Sequence, residues 1–224
     1  LVKNNLCQKV CITAPTHKAL RVIRGMLENY NIDVDTRTIQ SFLGIVPIRD
    51  YIDGKERYAV DRTKKDNPSV SVLIVDESSM ISQEVFEYIK EAFYMGRVNT
   101  VLFIGDKYQL PPDTNNTSPV YDLKRQYSLL ETVRQKKDSS IIKLATKFRD
   151  RIIKQDFIPI DQLLKEDMLN NQDTSEIEFF TQKEKFIDDF CKSDNWYKED
   201  KIATTYTNRD VEDINGIIRE IFWN

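Results

Sequence analysis

Two apolar runs that each end in acidic residues place the strongest constraint on how this chain can fold. Residues 70–75 read Val-Ser-Val-Leu-Ile-Val and lead into Asp76 and Glu77, and residues 100–104 lead into a Gly-Asp pair. Short apolar runs of this kind are typical of strands that are buried on both faces. Apolar residues at helical spacing lie between the two runs, so the pattern predicts two parallel strands that are connected by a helix.

The same alternation of strand and helix begins earlier in the chain. Residues 10–14 form a short apolar run that Pro15 ends, which is consistent with another buried strand. The segment that follows has apolar residues at spacings of three and four, as an amphipathic helix has; they are Ala19, Ile23, Met26, Leu27 and Tyr30. The whole pattern predicts an α/β fold in which helices flank a parallel sheet.

One segment interrupts this alternation. Residues 45–69 contain an Asp53-Gly54 pair between two runs that favour strands. An Asp-Gly pair in that setting is the strongest short-range signal for a hairpin. We therefore expect a β-hairpin inserted into the α/β pattern.

Composition narrows the class of protein. The 224 residues carry 33 Lys and Arg against 36 Asp and Glu, so the formal net charge is −3. This balance excludes a globally basic coat for nucleic acid, although it leaves room for a local basic track. The six glycines are scattered along the chain, and no group of them could form a glycine-rich phosphate loop. The chain therefore carries no complete P-loop of its own.

The cysteines and the hydropathy pattern indicate a cytoplasmic protein. Three cysteines and one histidine are too few, and too poorly spaced, to predict a zinc site. We interpret the cysteines as buried or free thiols in a reducing compartment. The sequence has no apolar run long enough for a transmembrane helix and no signal peptide, so no membrane partner is expected.

The acids that follow the two buried runs are the candidate catalytic residues. Asp76 is expected at the carboxyl end of its strand, where open α/β sheets bind their ligands. In nucleoside triphosphatases an Asp at this place holds Mg²⁺ through water, and the next acid orients or deprotonates the attacking water. Gln109 follows the neighbouring strand, from which it could sense the γ-phosphate. Pro15, Thr16 and His17 open a helix whose free backbone N–H groups suit a phosphate of nucleic acid.

Several segments resemble motifs of a known family. In chain order they are Thr13-Ala14-Pro15-Thr16, Asp76-Glu77-Ser78-Ser79-Met80, the segment from Gly105 to Pro112, and Leu130-Glu131-Thr132-Val133-Arg134-Gln135. They are similar to motifs Ia, II, III and IV of superfamily 1 DNA helicases, in particular the 5′-to-3′ branch with RecD-type helicases and the phage Dda helicase. Residues 38–42 resemble that branch's Thr-Ile-His-Ser segment, with Gln40 in place of His. Residues 205–209 resemble the start of its second motor domain.

This resemblance implies a RecA-like P-loop NTPase fold with two motor domains. Residues 1–156 would belong to the first RecA-like domain, with 45–69 as the inserted hairpin, and residues 157–224 would be a linker and the beginning of the second. The Walker A loop would precede residue 1, and the late motifs would follow residue 224. The piece alone would then be inactive as an enzyme.

The resemblance also implies a role for individual residues. Asp76 would coordinate Mg²⁺ through water, and Glu77 would be the catalytic base. Gln109 would couple the γ-phosphate of ATP to the DNA-binding surface, and Arg134 would reach the same phosphate. The expected contacts to single-stranded DNA come from Pro15, Thr16, His17, Ser41, Phe42, Tyr51 and Thr207. For Phe42 a place in the core is an equal alternative, and near Thr207 we expect Asn208 to be the helix cap.

Two functions remain open at this point. The first is the central part of an ATP-dependent DNA helicase that acts on single-stranded DNA and duplex junctions, either alone or with the subunits of a nuclease complex. The second is a nucleic-acid-binding or protein-interaction module that derives from a helicase and has no catalytic activity.

Overall fold

The computed structural model describes most of the chain as two compact units. The described residues are 9–49, 56–61, 68–112, 117–129, 139–156, 158–159, 162, 177–205 and 207–223. The units are Leu1–Glu131 and Thr132–Asn224. The boundary between motor domains that the sequence suggests at residue 156 stays a prediction.

A parallel four-stranded sheet forms the centre of the first unit. Its order is β2-β1-β5-β6, and every neighbouring pair in it is parallel. The prediction of an α/β fold with a parallel sheet is thereby confirmed. The strands are β1 (Val10–Ala14), β2 (Asp35–Thr38), β5 (Val70–Val75) and β6 (Val98–Phe103), while β3 and β4 belong to a separate hairpin.

Helices connect the strands of the sheet. Helix α1 (His17–Asn29) leads from β1 to β2, α2 (Ile39–Leu43) follows β2, and α3 (Gln83–Tyr94) leads from β5 to β6. Each begins at a hydroxyl residue that accepts a backbone N–H, which is the usual way to satisfy an orphan donor at a helix start. The caps are Thr16, Thr38 and Ser82.

The hydrophobic core joins the sheet to α2 and α3. Leu73 and Val75 of β5 are fully buried, and Ile89 of α3 and Phe42 of α2 lie in the same cluster. By contrast, Leu20 is the buried residue of α1, and Met26 of that helix is 53% exposed. Most of the stabilising burial is therefore on the α2–α3 side of β5.

Strand β2 was not predicted, because its sequence Asp-Thr-Arg-Thr has no apolar run. It pairs with β1, and Arg24 of α1 is hydrogen-bonded to it. The Arg24 Nε donates to Thr36 Oγ1 at 2.7 Å, and its Nη2 donates to the Thr36 carbonyl at 2.9 Å. Backbone pairing and these polar contacts replace the apolar pattern that would have marked a strand.

The predicted hairpin is present as the antiparallel pair β3 (Ile45–Arg49) and β4 (Glu56–Val60). Tyr58 attaches it to the helices: its N–H donates to Glu84 Oε1 at 2.8 Å, its carbonyl accepts from the Tyr88 hydroxyl at 3.3 Å, and its hydroxyl accepts from Gln40 Nε2 at 3.5 Å. The hairpin base is thus fixed to α2 and α3. Its predicted tip, with Tyr51 and Asp53-Gly54, lies outside the described residues.

The second unit is helical in the part that the structure describes. Its helices are α4 (Ser140–Lys154), α5 (Lys183–Phe190) and α6 (Asn208–Trp223). No side chain of α4 or α6 in the described part is buried. Aromatic rings hold this unit together instead, in a contact chain from Phe186 and Phe190 through Trp196 to Phe222.

The strand predicted over residues 202–206 is wrong for the described residues 202–205, which form no regular element. A strand requires a neighbouring backbone to accept and donate its ladder hydrogen bonds. No such neighbour pairs with this segment in the described part of the second unit. The β-branched residues there favour an extended chain but cannot make a sheet alone.

Two further expectations concern metals and membranes. Among the described residues there is no group of three or more His, Cys, Asp or Glu that could hold a metal ion. Within the same ranges, no helix is long and apolar enough to cross a membrane.

Burial raises the pKa of the Cys11 thiol to about 12, and nearby Asp35 adds to the effect. This thiol therefore stays protonated and unreactive near neutral pH.

Replacing Leu73 with Ala should test whether β5 carries the core. The side chain is fully buried, so Leu73→Ala removes apolar contacts and leaves a cavity, and we expect a loss of about 2–5 kcal/mol in the free energy of unfolding. The matched control is Leu129→Ala, because Leu129 is 98% exposed; its effect should be within about 0.5 kcal/mol. Urea unfolding of the 224-residue chain, followed by circular dichroism, measures both, and equal losses would contradict the assigned core.

Candidate nucleotide site

The carboxyl ends of β1, β5 and β6 meet at one edge of the sheet, and backbone hydrogen bonds extend past the strands there. The Asp76 N–H donates to the Thr13 carbonyl at 2.8 Å, and the Ile104 N–H donates to the Val75 carbonyl at 2.8 Å. The Ser78 N–H then donates to the Ile104 carbonyl at 2.9 Å. These bonds fix the residues after β5 relative to both neighbouring strands.

A buried threonine adds a side-chain link at the same edge. Thr13 is fully buried, and its Oγ1 donates to the Ile74 carbonyl at 3.0 Å. A hydroxyl in this position needs a partner because burying it unpaired would cost stability. The bond ties the end of β1 to the end of β5 through a side chain as well as through the backbone.

Asp76 and Glu77 lie together where β5 ends. Both are half-buried, and Glu77 adopts the left-handed conformation with φ 51° and ψ 43°. A non-glycine residue in this region is strained, and such strain clusters at functional sites. The chain turns sharply at Glu77 into a short 3₁₀ helix, Ser78–Met80. The two predicted carboxylates are therefore presented from a turn that the sheet holds in place.

The segment after β6 forms a compact turn of its own. Asp106 Oδ1 accepts the Tyr108 N–H at 3.0 Å, and the Asp106 carbonyl accepts the Gln109 N–H at 3.1 Å. This is the local capping that Asp often provides in turns. Gln109 is exposed in this turn, and Leu110 beyond it is 73% exposed. The structure thus places Gln109 on the loop that follows the strand next to Asp76.

Gly105 sits in a position that leaves no room for a side chain. A Cβ there would lie 2.6 Å from Ser78 Oγ, 2.9 Å from the Ser78 backbone nitrogen and 3.1 Å from the Tyr121 hydroxyl. All three distances are shorter than an ordinary carbon contact. The close approach lets the turn after β6 lie directly against the loop after β5, so glycine is required here for packing.

Tyr121 reaches this edge from a 3₁₀ turn, Pro119–Asp122. Burial raises the pKa of the Tyr121 hydroxyl, the nearby Ser78 hydroxyl lowers it, and the negative charges of Asp106 and Glu77 raise it further. The hydroxyl is therefore within electrostatic reach of both loops. No sequence pattern predicted this packing role of Tyr121.

A pocket of about 470 Å³ opens beside this cluster. One wall is formed by Leu102 and Phe103 of β6 with Gly105, and the other by Tyr121 and the residues after it up to Tyr127. Leu102 is 47% exposed and Ile104 is 46% exposed. Among the described residues no strand pairs with β6 on the side away from β5. The edge of β6 therefore exposes apolar side chains and unpaired backbone groups together.

The residues predicted to bind DNA near β1 form an exposed helix start. The Thr16 hydroxyl caps α1 by accepting the Ala19 N–H at 3.2 Å. Thr16 and His17 are exposed, and Pro15 is half-buried. They follow the strand that neighbours β5, so they lie at the same edge of the sheet as Asp76. Their contact with DNA stays a prediction.

A comparison with protein families shows to which family the chain belongs. The family model described as AAA domain matches residues 2–172, more than half of the sequence. The chain belongs to the AAA domain family. It is therefore a helicase-like P-loop NTPase domain, which agrees with the parallel sheet and with the acids at the end of β5.

Two relatives with similar sequences are named as uncharacterized proteins. The chain is 30% identical over 129 residues to an uncharacterized protein of Methanocaldococcus jannaschii and 28% identical over 120 residues to an uncharacterized protein of Acanthamoeba polyphaga mimivirus. The matches cover 56% and 49% of this chain, but 10% and 24% of the two relatives. The matched segments thus span only a small part of the length of each relative.

The structure corrects the prediction for Phe42. Its side chain is fully buried in the core, so it cannot stack on a base. Arg97 holds it there: the guanidinium lies 5.6 Å from the ring centroid and donates from Nη2 to the Phe42 carbonyl at 2.9 Å. Of the two alternatives considered, the core position is the one found. Ser41 is half-buried beside it in α2, where its N–H donates to Thr38 Oγ1.

The helix cap near Thr207 is also corrected. Thr207, not Asn208, caps α6, because its Oγ1 accepts the Asp210 N–H at 3.1 Å while its hydroxyl bonds Asp210 Oδ2 at 2.6 Å. This reciprocal pair resembles a capping box. Thr207 is exposed, so its predicted DNA contact is untested rather than excluded. Arg134 and Tyr51 lie outside the described residues.

A methyl group at Gly105 should disturb the site measurably. The new Cβ would overlap with Ser78, so we expect Gly105→Ala to reduce the free energy of unfolding by about 1–3 kcal/mol. Gly25→Ala is the matched control, since a Cβ at this position in α1 meets nothing within 4 Å. That control should stabilise the chain by about 0.5–1 kcal/mol, because alanine favours a helix. Urea denaturation of the two variants decides; a neutral Gly105→Ala would refute the close packing.

Proposed function

We propose that this AAA domain is the central part of an ATP-dependent DNA helicase of superfamily 1. It would couple ATP hydrolysis to translocation on single-stranded DNA and to unwinding of the duplex. The similarity of its motifs to RecD-type and Dda-type helicases supports movement in the 5′-to-3′ direction. Single-stranded DNA and duplex junctions would be its substrates, and nuclease-complex subunits are candidate partners.

One observation carries the proposal: two adjacent carboxylates at the end of the central strand β5, one of them on a strained backbone. Asp76 is bonded to Thr13 on the β1 side, its neighbours Val75 and Ser78 are bonded to Ile104 on the β6 side, and Glu77 adopts the left-handed conformation. The two acids therefore have different backbone conformations although they are adjacent in sequence. Such an arrangement suits two different tasks, one acid for a metal ion and the other for water.

The residues at this edge fit magnesium and the reacting end of ATP, but only in part. Carboxylate oxygens are the hard ligands that Mg²⁺ prefers, and one or two suffice because the ion keeps most of its waters. However, the N–H groups of Asp76 and Ser78 already donate to Thr13 and Ile104. They are therefore not free to cradle phosphates. The phosphate cradle must come from another segment, in agreement with the scattered glycines of this sequence.

Within this proposal each residue has a separate task. Asp76 would hold Mg²⁺ through water, and Glu77 would accept a proton from the attacking water. When bound, Mg²⁺ would neutralise charge that develops on the phosphate oxygens. Gln109, on its exposed turn, would respond to the γ-phosphate. Arg134, outside the described residues, would add positive charge to the same phosphate.

We further propose that the segment carrying the P-loop docks along the edge of β6. This edge is unpaired among the described residues, and Leu102 and Ile104 are exposed beside it. An open edge with apolar side chains readily accepts another strand. The adjoining pocket between β6 and residues 121–127 gives room for that strand. A strand that paired with β6 and led into a P-loop would place that loop at the carboxyl ends of the strands, where Asp76 lies.

The exposed start of α1 would be part of the DNA track. Thr16 and His17 present a helix N-terminus, whose positive end favours a phosphate. The hairpin of β3 and β4 would act as the pin that separates the strands, with Tyr51 as a stacking residue. The firm attachment of Tyr58 to α2 and α3 supports such a role, because a pin must resist force.

Replacing Glu77 with Gln tests the proposed chemistry. In the protein that carries this sequence together with a P-loop, Glu77→Gln should lower DNA-stimulated ATP hydrolysis by about 10²–10⁴-fold, because the amide cannot accept the proton from water. Binding of a fluorescent ATP analogue should persist. Glu28→Gln is the matched control, since Glu28 is an exposed residue of α1, and it should retain activity. Full turnover of Glu77→Gln would refute the catalytic assignment and favour the non-catalytic module.

The pin is tested by separating unwinding from hydrolysis. Tyr51→Ala removes a stacking ring worth about 1–3 kcal/mol per base, so duplex unwinding should fall at least about fivefold. ATP hydrolysis on single-stranded DNA should change by less than about twofold, because the nucleotide site is untouched. Tyr94→Ala serves as control, since Tyr94 is 81% exposed at the end of α3. If both activities of Tyr51→Ala fall equally, the pin assignment is wrong.

A further inference from the structure

The Tyr121 hydroxyl is a buried donor without a partner. Its oxygen is inaccessible to solvent and has no hydrogen-bond partner of normal geometry among the described residues, although the Ser78 hydroxyl lies near enough to lower its pKa. A buried tyrosine usually finds a partner for its hydroxyl, and an unsatisfied one destabilises the fold. A phenylalanine would fill the same space without this penalty. The hydroxyl is therefore unfavourable for the structure as it stands.

The hydroxyl points to the contact between the two catalytic loops. A Cβ built on Gly105 would lie 3.1 Å from the Tyr121 hydroxyl oxygen and 2.6 Å from Ser78 Oγ. Both hydroxyls therefore border the same small space beside Gly105. Ser78 directly follows Glu77, and Gly105 begins the turn that presents Gln109. Tyr121 thus lies beside a close approach between the Glu77 loop and the Gln109 turn.

Several groups that could accept a hydrogen bond from the Tyr121 hydroxyl lie near it. The Ser78 hydroxyl is adjacent, and the carboxylates of Glu77 and Asp106 act on Tyr121 electrostatically. Ser79 Oγ, in the same loop, is also buried and unpaired. A small shift of either loop would let these polar groups pair, which would stabilise the shifted arrangement over the one described.

We propose that Tyr121 is a positioning residue of the ATPase: its hydroxyl bonds the Glu77–Ser78 loop when the Gln109 turn closes against it, and so locks both loops in their working arrangement. The inference rests on the proposed function. Tyr121 does not contact the reacting atoms in this scheme. It acts through Ser78 and Gly105, and its unpaired state belongs to the open arrangement.

This role predicts opposite effects on stability and turnover. In the protein with its P-loop, Tyr121→Phe should lower kcat of DNA-stimulated ATP hydrolysis roughly three- to thirtyfold and leave KM for ATP within about twofold, because only the closed arrangement is affected. The Tm without nucleotide should stay equal or rise, since an unpaired buried donor has been removed. Tyr94→Phe, which alters an exposed hydroxyl, should change neither value.

A double variant tests whether the two hydroxyls act together. If Tyr121 works through Ser78, the combination of Tyr121→Phe with Ser78→Ala should be no slower than the slower single variant. Losses that multiply would overturn the link to Ser78. An unchanged kcat in Tyr121→Phe, or a parallel fall of kcat and Tm, would overturn the positioning role.

The same assays separate this inference from the proposed function. If the wild-type protein hydrolyses ATP and Glu77→Gln does not, the proposed ATPase chemistry stands whatever Tyr121→Phe does. If the wild-type protein has no DNA-stimulated ATP hydrolysis, both the proposed function and the role of Tyr121 are refuted.

Discussion

The hydrogen bonds between β5 and its two neighbours continue beyond the strands, and the candidate site depends on this continuation. Asp76 bonds to Thr13 on one side, while Ser78 bonds to Ile104 on the other. A parallel sheet offers evenly spaced bonds, so each added bond extends the same register. The loop that carries the carboxylates is therefore positioned by the central parallel sheet. The fully buried Leu73 and Val75 in the same strand anchor it to the core.

The same constraint explains what this edge of the sheet lacks. Because the N–H groups of Asp76, Ser78 and Ile104 complete the ladder, they are not free to bind phosphate, and the turn after β5 presents negative carboxylates. Two nearby acids and a phosphate would repel one another without positive groups between them. A nucleotide site on this edge therefore needs a cation and a segment with free N–H groups. That need links the scattered glycines of the sequence to the open edge of β6, which accepts such a segment in our proposal.

The sequence predicted the elements whose signal is local and missed those that depend on neighbours. Strands β1, β5 and β6 and the hairpin were predictable, because buried runs and an Asp-Gly turn mark them directly. The polar strand β2 was missed, since its pairing with β1 and the contacts from Arg24 replace an apolar pattern. Residues 202–205 show the converse: strand-like residues without a partner. Within the site, Asp76, Glu77 and Gln109 followed from their positions after strands. The contact of Tyr121 with Gly105 did not, because it joins residues from separate loops and leaves no periodic trace.

The two loops of the site differ in how firmly they are held, and this difference gives the proposed coupling a physical basis. Asp76 and Ser78 are bonded to the sheet, whereas the bonds that the described residues show for the Gln109 turn run from Tyr108 and Gln109 to Asp106 within that turn. Segments with few long-range bonds and exposed side chains open and shift at low cost in free energy. A rigid pair of carboxylates facing a movable glutamine turn can exist in two arrangements, and a nucleotide that prefers one of them shifts the population. Helix α1 follows β1, the strand to which Asp76 is bonded. A shift of the Gln109 turn therefore occurs relative to the same sheet that positions Thr16 and His17. In this scheme the sheet does not move; it gives the turn a fixed surface to close on.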